Sequence, residues 1–173
     1  ATVTTNEDTL FTFAVSSFDY SDIDSDVLDH IQIIAKPGTG GLKLDGAAVN
    51  NSDTISKTNL DNNKLVFHPL ANGNGNSYTT FTFKPNDGTA NSDATYTITI
   101  DVTAVNDLPT AQDFDKTGDQ DTDLVIATND FNYNDVEGDD FNQIKIIAVP
   151  ANGTLNNDST TLNDNDTVSK SDL

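Results

Sequence analysis

The chain has 173 residues, no cysteine and a net charge of −20, from 28 acidic residues against eight lysines and no arginine. Such a surface disfavours nucleic acid and anionic membranes as partners, and without thiols there is neither a disulfide nor a thiolate metal centre. No apolar run is long enough to insert in a bilayer as a helix.

Helical periodicity is missing, and alternation of apolar with polar residues runs throughout, the pattern of an all-β chain. The first residues form an opening strand that ends in a turn at Asn6-Glu7-Asp8-Thr9. A second strand spans 10–15, with Phe11, Phe13 and Val15 facing one way. An acidic loop over 19–29 follows, and then a strand over 30–36 with Ile31, Ile33 and Ala35 inward. Leu42 and Leu44 lead into Asp45-Gly46, a pair suited to the positive φ angles of a tight hairpin turn. A single helical turn is expected over 56–60. Strands follow at 64–68 (Leu65 and Phe67 inward), 78–83 (Phe81 and Phe83 on one face) and 95–105 (Tyr96, Ile98, Ile100 and Val102 on one face). About seven short strands in one module favour an antiparallel Greek-key β-sandwich.

After Pro109, which cannot donate to a strand ladder, the chain repeats. Phe18-Asp19-Tyr20-Ser21-Asp22-Ile23-Asp24 returns as Phe131-Asn132-Tyr133-Asn134-Asp135-Val136-Glu137. Ile33-Ile34-Ala35 returns as Ile146-Ile147-Ala148, and Thr54-Ile55-Ser56-Lys57 as Thr167-Val168-Ser169-Lys170. The offset is constant, 131 − 18 = 146 − 33 = 167 − 54 = 113, with no gap from Thr9 to Leu60. A fixed period of this kind marks tandem modules. The expected organisation is a complete module over 1–105, a linker over 106–109, and the N-terminal part of a second, truncated repeat over 110–173. The stop at Leu173 and the start without Met suggest a segment of a longer chain.

All but two of the acidic residues are Asp, which suits turns because the short carboxylate bonds nearby backbone. The exceptions, Glu7 and Glu137, fall in the loops that carry the chemistry. Asp22, Asp24 and Asp26 are spaced so that alternate side chains can turn toward one ion, and Asp135, Glu137 and Asp139 repeat the spacing. Two carboxylates ~4 Å apart repel by about 1 kcal/mol in water and about 4 kcal/mol at an effective dielectric of 20. A cation relieves that repulsion, and calcium accepts six to eight such oxygens in irregular geometry. Strands alternate direction, so Glu7 and Asp8 are expected at the pole where the last strand of the module exits. They should converge there with Asn106 and Asp107 of the linker and with Asp135, Glu137 and Asp139 of the second copy. Asp22, Asp24, Asp26 and Asp87 would then face a preceding module, and Asp119 and Asp121 a following one.

The order of these features resembles the cadherin-like repeats found in tandem in large bacterial surface adhesins and biofilm proteins. It is carried by Glu7-Asp8-Thr9, Asp22-Ile23-Asp24-Ser25-Asp26, Gly41-Leu42-Lys43-Leu44-Asp45-Gly46, Lys64-Leu65-Val66-Phe67-His68-Pro69 and Val105-Asn106-Asp107-Leu108-Pro109. Pro85 and Leu108 depart from the pattern. The resemblance implies extracellular spacer modules, on the cell surface or secreted, rigidified by calcium and partnered by neighbouring repeats. A second expectation is a binding module for a glycan or another copy of the chain; the recurring Tyr20 and Tyr133 are its stacking candidates, although packing over the acidic loop is the preferred reading of both. No nucleophile motif or phosphate loop occurs, and His30 is replaced by Gln143 in the second copy. No enzymatic activity is expected.

Overall fold

The computed structural model describes residues 1–173, and the chain divides into two compact units, Ala1–Val105 and Asn106–Leu173. Strands are the main regular structure of both, short and few in the second, and no helix is long and apolar enough to cross a membrane.

The first unit has β1 (Thr2–Asn6), β2 (Phe11–Phe13), β3 (His30–Ala35), β4 (Gly41–Leu44), β5 (Ala47–Ala48), β6 (Thr54–Ser56), β7 (Leu65–His68), β8 (Gly75–Asn86) and β9 (Tyr96–Thr103). Five strands join in the order β1-β9-β8-β3-β6 and four in the order β2-β7-β4-β5. All pairings are antiparallel except that of β1 with β9, which is parallel. One continuous core takes Phe13, Leu42, Leu65 and Phe67 from the smaller sheet and Ile31, Ile33, Ile55, Phe81, Phe83, Ile98, Ile100 and Val102 from the larger. Phe13 and Phe81, one from each sheet, meet edge to face with centroids 5.5 Å apart. Each such fully buried side chain contributes about 1.5–3 kcal/mol relative to exposure. The short helix α1 (Lys57–Asp61) buries Leu60, and the Ser56 hydroxyl caps it by accepting the Asn59 N–H.

Several strand assignments shift. Ala35 is exposed rather than inward, because the β3–β8 register slips between Ile33 and Ala35 and turns the next residues out; a bulge has this effect on side-chain alternation. Tyr96 is half exposed, resting against Phe83 at the start of β9. Val15 lies outside β2, in a 3-10 turn over Val15–Phe18. The strand expected at 78–83 extends over Gly75–Asn86.

The second unit has β10 (Gln143–Lys145), β11 (Asn156–Asn157), β12 (Thr160–Thr161) and β13 (Thr167–Ser169), paired as β10-β13 and β11-β12. The 113-residue repeat is reproduced bond by bond. Ile33 N–H donates to the Asp53 carbonyl at 2.9 Å, and Ile146 N–H to that of Asp166 at 2.8 Å. Lys57 N–H reaches Asp29, and Lys170 N–H reaches Asn142, both at 2.7 Å. Positive φ recurs at equivalent turn positions: Asp8 and Asp121, Asp19 and Asn132, Ser25 and Gly138, Ser52 and Asn165. Asn and Asp tolerate this conformation because their side chains bond local backbone.

Candidate acidic loops and the buried Glu7

The acidic loop after β2 is organised around one carboxylate. Asp22 Oδ1 accepts the N–H of Asp24 at 2.8 Å and of Asp26 at 3.1 Å. The Tyr20 hydroxyl closes the loop by donating to the Asp26 carbonyl at 3.2 Å. The second unit builds the same object: Asp135 Oδ1 accepts the N–H of Glu137 and of Asp139, and the Tyr133 hydroxyl donates to the Asp139 carbonyl at 3.1 Å. Two amide dipoles aimed at one oxygen fix the orientation of the central carboxylate in each loop.

The tyrosines report the local charge. The Tyr20 hydroxyl is pushed above the usual tyrosine range by burial and then by the neighbouring Asp22, Asp87 and Asp26. That of Tyr133 is raised by burial and then by Asp135, Asp139 and Asp140. Asp87 thus belongs to the negative field at the Asp22 loop, despite lying far along the chain. Its carboxylate is itself held below the ordinary range by the N–H groups of Ala90 and Thr89.

Glu7 is the one buried carboxylate of the chain, 1% exposed. The parallel pairing of β1 with β9 carries it to the end of β9, where its own N–H bonds the Thr103 carbonyl. Oε1 accepts the Val105 N–H at 2.6 Å and Oε2 the Asn74 amide at 3.2 Å. None of the four salt bridges includes it. Neighbouring Asp8 stays at the surface and accepts the Asn72 N–H at 3.4 Å.

In the second unit, Asp107 N–H donates to Glu137 Oε2 at 3.0 Å, and the Asn106 side-chain amide bonds the Asp107 carbonyl. Asp107, Asp135, Glu137 and Asp139 are therefore linked through one backbone and side-chain network. Thr110 and Asn134 exchange backbone bonds at 2.8 and 2.9 Å and tie the segment before β10 to this loop. Asp121 lies apart from this network, within reach of the Gln120 amide. One participant escaped sequence reasoning. Asn74 gave no local signal, since its partner lies 67 positions away. The hydroxyl role of Tyr20 and Tyr133 was signalled only by their recurrence.

The donors are hard, anionic oxygens, which suits calcium and excludes soft metals. No group of three or more carboxylates or imidazoles is arranged to hold a metal ion. No protein-family model, curated protein sequence or solved structure matches the chain.

Proposed function

We propose that this chain is one complete cadherin-like β-sandwich repeat followed by the N-terminal part of a second, acting as a calcium-stiffened spacer in an extracellular bacterial adhesin. The observation that carries the reading is the duplicated acidic loop, folded by the same three hydrogen bonds in each unit. These bonds are those of an Asp-headed turn; what supports a cation site is their recurrence at one repeat position with two further carboxylates at alternate residues, the spacing that can offer several oxygens to one ion.

Asp22, Asp24 and Asp26 would supply oxygens in the first unit. Asp107, Asp135, Glu137 and Asp139 would supply them in the second, with the Asn106 side chain beside them. Glu7 and Asp8 are the carboxylates available where β9 ends. Bound calcium would neutralise the repulsion within each loop. Glu7 also fixes where the chain leaves the first unit, through the Val105 N–H.

Isothermal titration of the chain with calcium, then with magnesium, tests the proposal. Binding of calcium with a rise in melting temperature supports it. Calcium that neither binds nor stabilises at millimolar concentration refutes it. Ligand binding stabilises by RT ln(1 + [L]/Kd), about 4 kcal/mol at a thousandfold excess over Kd, which is well within reach of scanning calorimetry.

A further inference from the structure

We propose that Asn74 is a site of spontaneous deamidation, and that the reaction releases the fastening of Glu7 at the end of β9. The proposal does not depend on the calcium reading. The connection from β7 to β8 contains Ala71-Asn72-Gly73-Asn74-Gly75, two Asn-Gly steps in succession. An asparagine before glycine loses its amide without an enzyme, because no side chain hinders ring closure and glycine adopts the backbone angles it requires. The backbone nitrogen of Gly75 attacks Asn74 Cγ. The new N–Cγ bond closes a five-membered succinimide, the Cγ–Nδ2 bond breaks, and Nδ2 leaves as ammonia with the proton lost by Gly75. Water then opens the ring at either carbonyl, leaving aspartate or isoaspartate. Water is the only co-reactant.

The fold separates the two steps. Gly73 N–H donates to the Leu70 carbonyl at 3.0 Å, and Leu70 N–H donates to the Tyr78 hydroxyl at 3.2 Å. A Cβ at Gly73 would lie 2.7 Å from that hydroxyl, and Asn72 N–H is held by Asp8. The Asn72 step is thus closed into a turn packed against Tyr78, with its attacking nitrogen already engaged. The Asn74 step lies in the open. Asn74 is exposed, Gly75 has φ +142°, and a Cβ on Gly75 would meet nothing within 4 Å. Gly75 is the first residue of β8, and the β8–β9 register breaks between it and Thr79. A strand end opens more readily than a strand interior, and opening frees the Gly75 nitrogen to reach Cγ.

The consequence follows from what Asn74 holds. Its Nδ2 donates to Glu7 Oε2 at 3.2 Å, while Oε1 of the same buried carboxylate accepts the Val105 N–H. Deamidation puts a second carboxylate where the donor stood. Glu7 then loses a hydrogen bond and faces a like charge. Asn72 has no such role, since it hydrogen-bonds to Asp8 through its backbone N–H.

The test incubates the full chain in chelator at mildly alkaline pH, folded and in denaturant, and locates the products by peptide mass spectrometry with electron-transfer fragmentation. The ratio of Asn74 to Asn72 modification should be several-fold higher in the folded chain than in denaturant. Asn74→Asp, the product of one ring opening, should speed exchange of the Val105 amide by roughly tenfold or more and lower the Tm of the first unit. Asn72→Asp should do neither. A folded-chain ratio no higher than that in denaturant overturns the assignment of the site. An Asn74→Asp variant with wild-type Val105 exchange and Tm, or an Asn72→Asp variant that loosens Val105 equally, overturns the coupling to Glu7.

Discussion

Replacing Glu7 tests how firmly the exit of the first unit is fastened. Glu7→Ala removes the acceptor of the Val105 N–H and of the Asn74 amide. A hydrogen bond to a charged group is worth about 1.5–3 kcal/mol, and a neutral one about 1 kcal/mol. Against this, removing a buried carboxylate recovers part of a desolvation penalty of several kcal/mol. The short bond to Val105 and the donors left without an acceptor decide the sign, for a net loss of about 2 kcal/mol. For a domain near 100 residues, 1 kcal/mol shifts Tm by about 4–8 °C. The first unit should therefore melt roughly 8–16 °C lower. Glu7→Gln keeps an oxygen for Val105 and sheds the buried charge, so it should cost no more than about 1 kcal/mol. Differential scanning calorimetry in chelator, with exchange of the Val105 amide as a local probe, reads both. A Glu7→Ala variant that melts with the wild type and keeps Val105 protected would refute the fastening role.

Asp135→Ala takes away the oxygen that organises its loop, and should remove most of the calcium-dependent rise in Tm of the second unit while Asp22→Ala does the same for the first; silence of both by calorimetry would contradict calcium binding at these loops. Calcium should lower the ionisation range of Tyr20 and Tyr133, since the neighbouring carboxylates that help raise them are neutralised; tyrosinate absorbance, with Tyr20→Phe and Tyr133→Phe to assign the signals, checks the direction. Asp130 is held below the ordinary carboxylate range by the Ala127 N–H and Lys116, so it stabilises the second unit above pH ~4 and that contribution is lost as pH falls through its depressed range. Asp130→Asn should accordingly flatten the acid limb of an unfolding series, and an unchanged limb would argue against it. Gly40→Ala should destabilise the first unit by about 2 kcal/mol or more in denaturant unfolding, because Gly40 has φ +70° and a methyl there would sit 2.6 Å from the His68 carbonyl oxygen.

The sequence by itself determined the strand alternation, the hairpin turn at Asp45-Gly46, the repeat and the positions of both acidic loops. These are local or periodic properties: period-2 alternation selects a buried face, and Asp or Asn at a turn bonds its own backbone. The inward alternation held at Phe13, Ile31, Ile33, Leu65, Phe67, Phe81, Phe83, Ile98, Ile100 and Val102, all in the core. It failed at Ala35, where a register slip that depends on β8 reversed the face. Tertiary structure alone decided that Glu7 is buried, with partners 67 and 98 positions away, and that Asp87 adds to the charge around Tyr20. Phe18 and Phe131 occupy the same position of the repeat, yet only Phe18 is buried, because in its unit β7, β8 and β9 complete the two sheets, and long-range strand pairing is invisible to any local pattern.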